Sequence, residues 1–359
     1  MMEEGSPTSK LLGSSAEYHS DLGSAYRGDS RELLRELPDE SIDLIVTSPP
    51  FALQHQKEYG NENLEEYNDW FMEFAHEARR VLQPHGSFVI EIGGAFERGI
   101  PRRSTYQFEL ICRLTDEEEG RLHLAQDFYW FNPAKLPNPI EWVNVRKIRV
   151  TDAVTHVWWL AKDINKVAAT DEDGQPHPEA DNRRVLQPYK DSQKKLIETG
   201  EYNDGKRPSG WDIDSEAFAN DNGGAIPKNM GEVDKEETNL IEASNTASNT
   251  HYLKMCRKFD MADSHPARFP RDIPEFFIDF LTPNPPYDDW DRGALDRPVV
   301  LDIFAGSNLT GRIAEDKGRY WLAFEENSDY VSTSQFRFLS EEEIRSLGYT
   351  PEEQSQEAQ

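Results

Sequence analysis

The chain runs to 359 residues, with 67 acidic side chains against 39 basic and a net charge of −28. That length suits one large α/β domain with a smaller module inserted or appended, and no apolar run approaches the roughly eighteen residues a membrane helix needs. The two cysteines, Cys112 and Cys256, lack C-x-x-C spacing and neighbouring histidine pairs, so the sequence offers no zinc or other metal site and no disulfide framework.

The first residues, MMEEGSPTSKLLGSS, have no basic segment followed by an apolar one, so the expectation is a cytoplasmic protein without a signal peptide. Residues 1–20 are polar and serine-rich and read as a flexible arm. SIDLIV (Ser41 to Val46) is a short apolar run stopped by Thr47-Ser48-Pro49-Pro50, which predicts a buried strand. Residues 64–82 place Tyr67, Trp70, Phe71, Phe74 and Ala78 at helical spacing, and Pro84-His85-Gly86 closes that helix. SFVIEIG (Ser87 to Gly93) predicts the next buried strand. Two more strand-like runs, LAQDFYWF and AVTHVWWLA, flank a loop rich in Pro, Asn and aromatic residues, FNPAKLPNPIEWVNVRK.

From Asp163 to about Thr250 apolar runs thin out, and Gly, Pro, Asn, Asp and Lys dominate, which predicts a separate loop-rich module. Order returns with a helix over Ile273 to Leu281, a strand over Val299 to Phe304, a helix over Leu309 to Lys317 and a strand over Tyr320 to Phe324. Strands alternating with helices predict a doubly wound, mostly parallel α/β sheet. The expected organisation is an arm (1–20), a catalytic half (21–162), a recognition module (163–253), a cofactor-binding half (254–338) and an acidic tail (339–359).

Two constellations carry chemistry. Thr47-Ser48-Pro49-Pro50-Phe51 follows a strand, where parallel sheets bind ligands. In VVLDIFAGSNLTG a strand ends at Asp302-Ile303-Phe304, a small-residue turn follows (Ala305, Gly306, Ser307, Asn308), and a helix begins. Such a strand–turn–helix unit makes a cofactor cradle, because Gly306 permits close backbone approach and the helix start offers free N–H groups. It departs from G-x-G-x-x-G, which disfavours a dinucleotide. Glu325, at the end of the next strand, suits ribose hydroxyls.

TSPPF near one end and DIFAGSN near the other resemble the β-class amino-methyltransferases of DNA, whose motifs are circularly permuted in this order. The resemblance continues through Gly28-Asp29, GSFVIEIGGA, FYWFNPAKLPNPIEWVN, RPSG, DNGGAIP and SHPARFP, and spans residues 26–338. It implies an S-adenosylmethionine-dependent methyltransferase sheet with an inserted target-recognition module, acting on double-stranded DNA and not on membranes. It departs from the pattern at Leu309, where the family often has Thr, and in the longer, more acidic stretch after Asp163.

The resemblance implies roles for individual residues. Ser48 Oγ and the Pro49 carbonyl accept the N–H hydrogens of a flipped-out base, Pro50 stiffens the loop, and Phe51 stacks on the base. Ser48, where adenine-N6 enzymes usually carry Asp or Asn, implies cytosine N4, with adenine N6 as the alternative. A catalytically silent DNA-binding protein is a more distant one. Neither cysteine follows a proline, which disfavours carbon-5 chemistry. Thr47, Asp302, Phe304, Gly306, Ser307 and Asn308 line the cofactor cradle. Asp29 lies at the adenine amino group, Phe269 on the methionine side, and Glu325 on the ribose. Arg146, Lys147, Arg183, Arg184, Lys206 and Arg207 are candidate DNA contacts. The resemblance implies either the modification part of a restriction–modification system, with a cognate endonuclease sharing the site without a stable complex, or a solitary enzyme, with CAGCTG a candidate site.

The charge works against this expectation, because nucleic-acid binders usually present a basic face. The acidic residues are spread along the chain and arginine outnumbers lysine. That pattern fits a halophile, in whose salty cytoplasm self-repulsion is screened, with an unusually acidic mesophilic protein, or a partner that is not a polyanion, as the alternatives.

Overall fold

The computed structural model describes residues 6–52, 66–97, 99–133, 135–136, 140–167, 180–200, 220–229, 241–242, 250–259, 261, 270–285 and 295–351. The first half contains β1 (Tyr18–His19), β2 (Gly23–Arg27), α1 (Ser30–Glu36), β3 (Ile42–Thr47), α2 (Tyr67–Val81), β4 (Leu82–Ile92), α3 (Tyr106–Thr115), β5 (His123–Phe131) and β6 (Val154–Ala161). Then come α4 (Ile164–Val167), α5 (Asp191–Thr199), β7 (Ile241–Glu242), α6 (His251–Lys258), α7 (Asp272–Leu281) and β8 (Val299–Asp302). The chain continues through α8 (Leu309–Asp316), β9 (Tyr320–Glu325), α9 (Ser328–Ser334) and α10 (Glu341–Ser346).

The strands form one sheet in the order β1-β2-β9-β8-β3-β4-β6-β5-β7. From β2 to β4 every pairing is parallel. The sheet then turns antiparallel, β4 against β6 and β6 against β5. The α/β class is as expected, with a parallel centre and a mixed flank. Central strands read as unbroken apolar runs because both faces are covered. Ile45, Phe88, Ile90, Leu301, Leu322 and Phe324 join one core with residues of α1, α2 and α3. Their neighbours Leu44, Val46, Val89, Val300 and Ala323 join a second core with α7 and α8. This is the period-two alternation of a strand, applied to a sheet with two buried sides.

Five expectations need correction. β4 begins at Leu82 and runs through Pro84, where the register jumps from Ile42↔Leu82 to Leu44↔Ser87. Pro84 is tolerated because it falls in that irregularity, where the ladder needs no N–H from it. Residues 6–20 are docked: Ser6 and Thr8 are buried, their hydroxyls bond each other, and Thr8 also donates to the Trp321 carbonyl at 3.2 Å. The acidic tail starts as a helix, α10, capped by Ser340 and Glu343. Its Ile344 packs with Tyr252, Cys256, Phe259 and Phe336 in a third apolar cluster, so α6 sits with the C-terminal elements and the boundary at 253 falls inside it. Finally, Arg184 is half-buried and donates to the Phe280 carbonyl near the end of α7 at 2.8 Å. Burial lowers its pKa to about 10, and the inward orientation removes Arg184 from the candidate DNA contacts.

Candidate active site

Because β2, β9, β8, β3 and β4 run parallel, their C-terminal ends share one rim of the sheet. Both constellations predicted from the sequence lie there. Asp302 ties them together from below. Its Oδ1 accepts from the Thr47 hydroxyl at 2.7 Å and the Phe304 N–H at 3.1 Å, and its Oδ2 accepts from the Thr310 hydroxyl at 2.7 Å. Asp302 is buried, and burial raises its pKa against those three bonds. Thr47 and Asp302 therefore brace the cradle with their polar groups already committed.

The loop above is fixed residue by residue. Gly306 adopts φ +50°, a left-handed conformation suited to glycine. Its N–H donates to Glu325 Oε2 at 2.8 Å, while Oε1 accepts from the Asn327 N–H at 2.9 Å. Burial raises the pKa of Glu325, and the nearby charges of Asp302 and Glu326 act in the same direction. Asn308 is buried at φ +50° and caps α8 through the Gly311 N–H, while its Nδ2 donates to Tyr18 Oη at 2.8 Å. Ser307 is held from behind by Arg337, which donates to its carbonyl and, at 2.7 Å, to its hydroxyl. Tyr18 was not singled out from the sequence, and Arg337 stands in the closing FRF run without a role having been assigned to it.

Asp29 is brought alongside by the preceding glycine, since the Gly28 N–H donates to the Glu325 carbonyl at 3.1 Å. Asp29 caps α1, accepting from the Arg31 N–H at 2.8 Å, and pairs with the Arg31 guanidinium at 2.7 Å. That hydrogen-bonded guanidinium holds the Asp29 carboxyl below the ordinary carboxylate range. Phe304 completes an apolar wall, with ring centroids 4.9 Å from Phe74 and 5.7 Å from Trp70. Two carboxylates, a glycine turn and an aromatic wall are a donor set that fits a nucleoside: carboxylates for hydroxyl and amino groups, rings for a base. Phe269 lies outside the described residues.

Ser48 follows β3, and its Oγ donates to Glu91 Oε2 at 2.5 Å. Glu91 is buried in β4, its pKa pushed up to about 7 by burial. The Ser48 hydrogen bond and the Lys135 charge oppose that rise. Glu91 Oε1 and the Tyr67 hydroxyl are both buried without a hydrogen-bond partner, which marks this pocket as one with polar capacity to spare. The Phe51 ring lies against Gly93, where a Cβ would stand 2.4 Å from it. Pro49 is buried, and Pro50 and Phe51 are half-buried. The sequence did carry a signal for Glu91: it is the single charged residue in SFVIEIG, and a carboxylate in a strand covered on both faces needs a reason.

The remaining predicted contacts are dispersed. Arg146 is exposed and paired with Glu141 at 2.9 Å. Lys147 is exposed at φ +58°. Arg183 is exposed and paired with Asp181 at 2.7 Å. Lys206 and Arg207 lie outside the described residues.

Comparison with known proteins gives consistent matches. The family model for DNA methylase (N6_N4_Mtase) matches residues 42–336. Type II methyltransferase M.PvuII of Proteus hauseri is 47% identical over 342 residues, covering 94% of this chain and 90% of that protein. M.BamHI of Bacillus amyloliquefaciens is 35% identical over 99 residues, 27% of this chain and 22% of that protein. The solved structure of the PvuII DNA methyltransferase (cytosine-N4-specific) superposes with a TM-score of 0.66 at 41% identity, covering 94% of each chain.

Proposed function

The chain belongs to the DNA methylase family, and from that premise we propose that it transfers a methyl group from S-adenosylmethionine to N4 of a cytosine in double-stranded DNA. The observation that carries the reading is the Ser48–Glu91 pair at the end of β3. A cytosine amino group is a poor nucleophile, because its lone pair is delocalised into the ring, and it must lose a proton as it gains the methyl group. Ser48 donates its own proton to Glu91, so the lone pairs of its Oγ are free to accept an N–H from the base. The amino proton then passes to Ser48 while the Ser48 proton passes to Glu91, whose carboxyl at about 7 is poised to take it near neutral pH. The Pro49 carbonyl is the second acceptor, and two prolines keep it oriented. Phe51 stacks on the flipped base.

S-adenosylmethionine, when bound, supplies an electrophilic methyl group. Glu325 would hold its ribose hydroxyls, Asp29 its adenine amino group, and Phe304 and the Gly306 turn its base and backbone-facing edge. Ser307 and Asn308 shape that turn through Arg337 and Tyr18. Phe269 is the proposed contact on the methionine side. Arg146, Lys147 and Arg183, with Lys206 and Arg207, are proposed phosphate contacts, and the stretch from Asp163 up to the start of α6 the sequence-reading module. The proposed site is CAGCTG, shared with a restriction endonuclease that needs no stable complex with the chain.

Single-molecule sequencing of DNA from cells expressing the protein tests this reading. The expected result is N4-methylcytosine at one short motif. N6-methyladenine would transfer the assignment to the other amino-methyl chemistry, and unmodified DNA would refute both.

A further inference from the structure

We propose that the loop between β5 and β6 is the surface laid against duplex DNA beside the extruded base. In this assignment Leu136, Ile140, Val145 and Ile148 meet bases and sugars, and Lys135 and Lys147 meet the flanking phosphates. The inference rests on the reading of the chain as a DNA methyltransferase and names the surface that reading requires.

Leu136, Ile140, Val145, Ile148 and Val150 are 79%, 61%, 62%, 61% and 83% exposed. With Val154 they supply six of the eleven large apolar side chains exposed among the described residues. Scattered apolar residues need no explanation, but a cluster on one loop marks an interaction site. The loop is also braced, so the exposure is built in. Its base is closed by the Asn132 N–H on the Ala153 carbonyl at 2.8 Å, and the Trp142 carbonyl accepts from the N–H groups of Ile148 and Arg149. The Arg149 guanidinium lies 4.3 Å from the centre of the Phe96 ring and donates to the Pro101 carbonyl at 3.3 Å.

Between Phe131 and Val154 stand Lys135, Arg146, Lys147 and Arg149 against Glu141 and Asp152, which pair with Arg146 and Arg149 respectively, in a chain whose net charge is −28. A basic stretch on an otherwise acidic protein complements a polyanion.

Position decides the occupant. β6 pairs with β4 such that Val157 lies opposite Glu91 and His156 opposite Ile92, so the loop leaves the sheet at the rim that carries Ser48 and Glu91. The charge of Lys135 already acts on Glu91. A duplex that delivers a base to Ser48 must approach the rim from which this loop leaves the sheet. Unstacking a base opens an apolar gap, and apolar side chains inserted beside such gaps are a known means of stabilising deformed DNA.

The test uses the full chain and a short fluorescent duplex containing CAGCTG. One variant combines Ile140→Ser, Val145→Ser and Ile148→Ser; a second is Lys147→Gln. All four positions are exposed, and thermal midpoints together with S-adenosylmethionine affinity by calorimetry check that the fold is kept. The triple variant should bind the duplex about tenfold more weakly or worse, with cofactor affinity unchanged. Lys147→Gln should reduce the slope of log affinity against log salt by about one. Wild-type affinity in the triple variant overturns the proposal, as does a wild-type protein that fails to bind the duplex. A wild-type dimer that the triple variant breaks without loss of DNA affinity also overturns it, and reassigns the patch to self-association. Weakened binding in the variants with no methylation by the wild type upholds the surface while refuting the proposed reaction.

Discussion

Replacing Glu91 by glutamine removes a charge from a buried carboxyl with almost no change of shape. In the fold that carboxyl is pushed from 4.5 up to about 7, chiefly by burial. Ionising it there therefore costs about 3 kcal/mol more than ionising it in the unfolded chain. Below the unfolded value both states are protonated and the cost is absent. As pH rises from 4.5 towards about 7 the unfolded chain ionises first, and above about 7 the whole cost falls on the folded state. Glu91→Gln should thus leave stability nearly unchanged at low pH and raise it by up to about 3 kcal/mol at about pH 8.5. For a chain of this size that is a rise of roughly 3–6 °C in the melting midpoint. Turnover should move the other way, falling about a hundredfold or more, because glutamine cannot accept the Ser48 proton. The wild-type turnover should climb with pH through about 7, and the residual activity of the variant should lack that rise. Calorimetric melts and turnover measured across the same pH range decide the matter. Equal destabilisation at both ends of the range, with activity retained, would leave Glu91 a merely structural partner of Ser48.

Ser48→Ala should lower turnover by about a hundredfold, by analogy with the loss of one oriented transition-state hydrogen bond, while S-adenosylmethionine affinity measured by calorimetry stays at the wild-type value; full activity would remove Ser48 from the mechanism. Glu325→Ala should act first on cofactor affinity, weakening it by about tenfold or more, since a charge-assisted hydrogen bond is lost; unchanged calorimetric binding would contradict the ribose assignment. With a net charge of −28, the protein should keep its fold and its methylation rate at about 1 M potassium chloride, where the Debye length is about 3 Å. A rate that peaks near 0.1 M and vanishes above about 0.5 M, as ordinary phosphate binding dictates, would contradict the halophilic reading of the acidic surface.

The strands and helices that build the rim were legible because their burial is written in apolar spacing. β3, β8 and β9 appear as short unbroken runs, and α2 and α7 as helical stripes. Pro84 misled, since a proline ends a strand only where the ladder needs its N–H, and register is a property of the partner strand. The docked arm was hidden because Ser6 and Thr8 are polar yet bury cheaply once their hydroxyls bond each other and Ser24. α10 did announce itself, through a serine followed three residues later by a glutamate, Ser340 and Glu343, inside a stretch read only for its charge. In the site, residue types were legible and directions were not. Asp302 and Asn308 carry the right chemistry for a cradle but spend it on Thr47, Thr310, Gly311 and Tyr18. Ser48 and Glu91 are 43 positions apart, and only the parallel pairing of β3 with β4 makes them neighbours.

Whether the reacting atom is N4 of cytosine is read out by mass spectrometry of nucleosides from DNA incubated with the purified protein. S-adenosylmethionine carrying a deuterated methyl group as the added donor makes the transferred group visible by mass. The expected result is deuteromethyl label in N4-methylcytosine, absent when the donor is omitted and sharply reduced with Ser48→Ala. Label in N6-methyladenine would contradict the assignment of Ser48 to a cytosine amino group, and label in 5-methylcytosine would contradict the Ser48–Glu91 chemistry altogether.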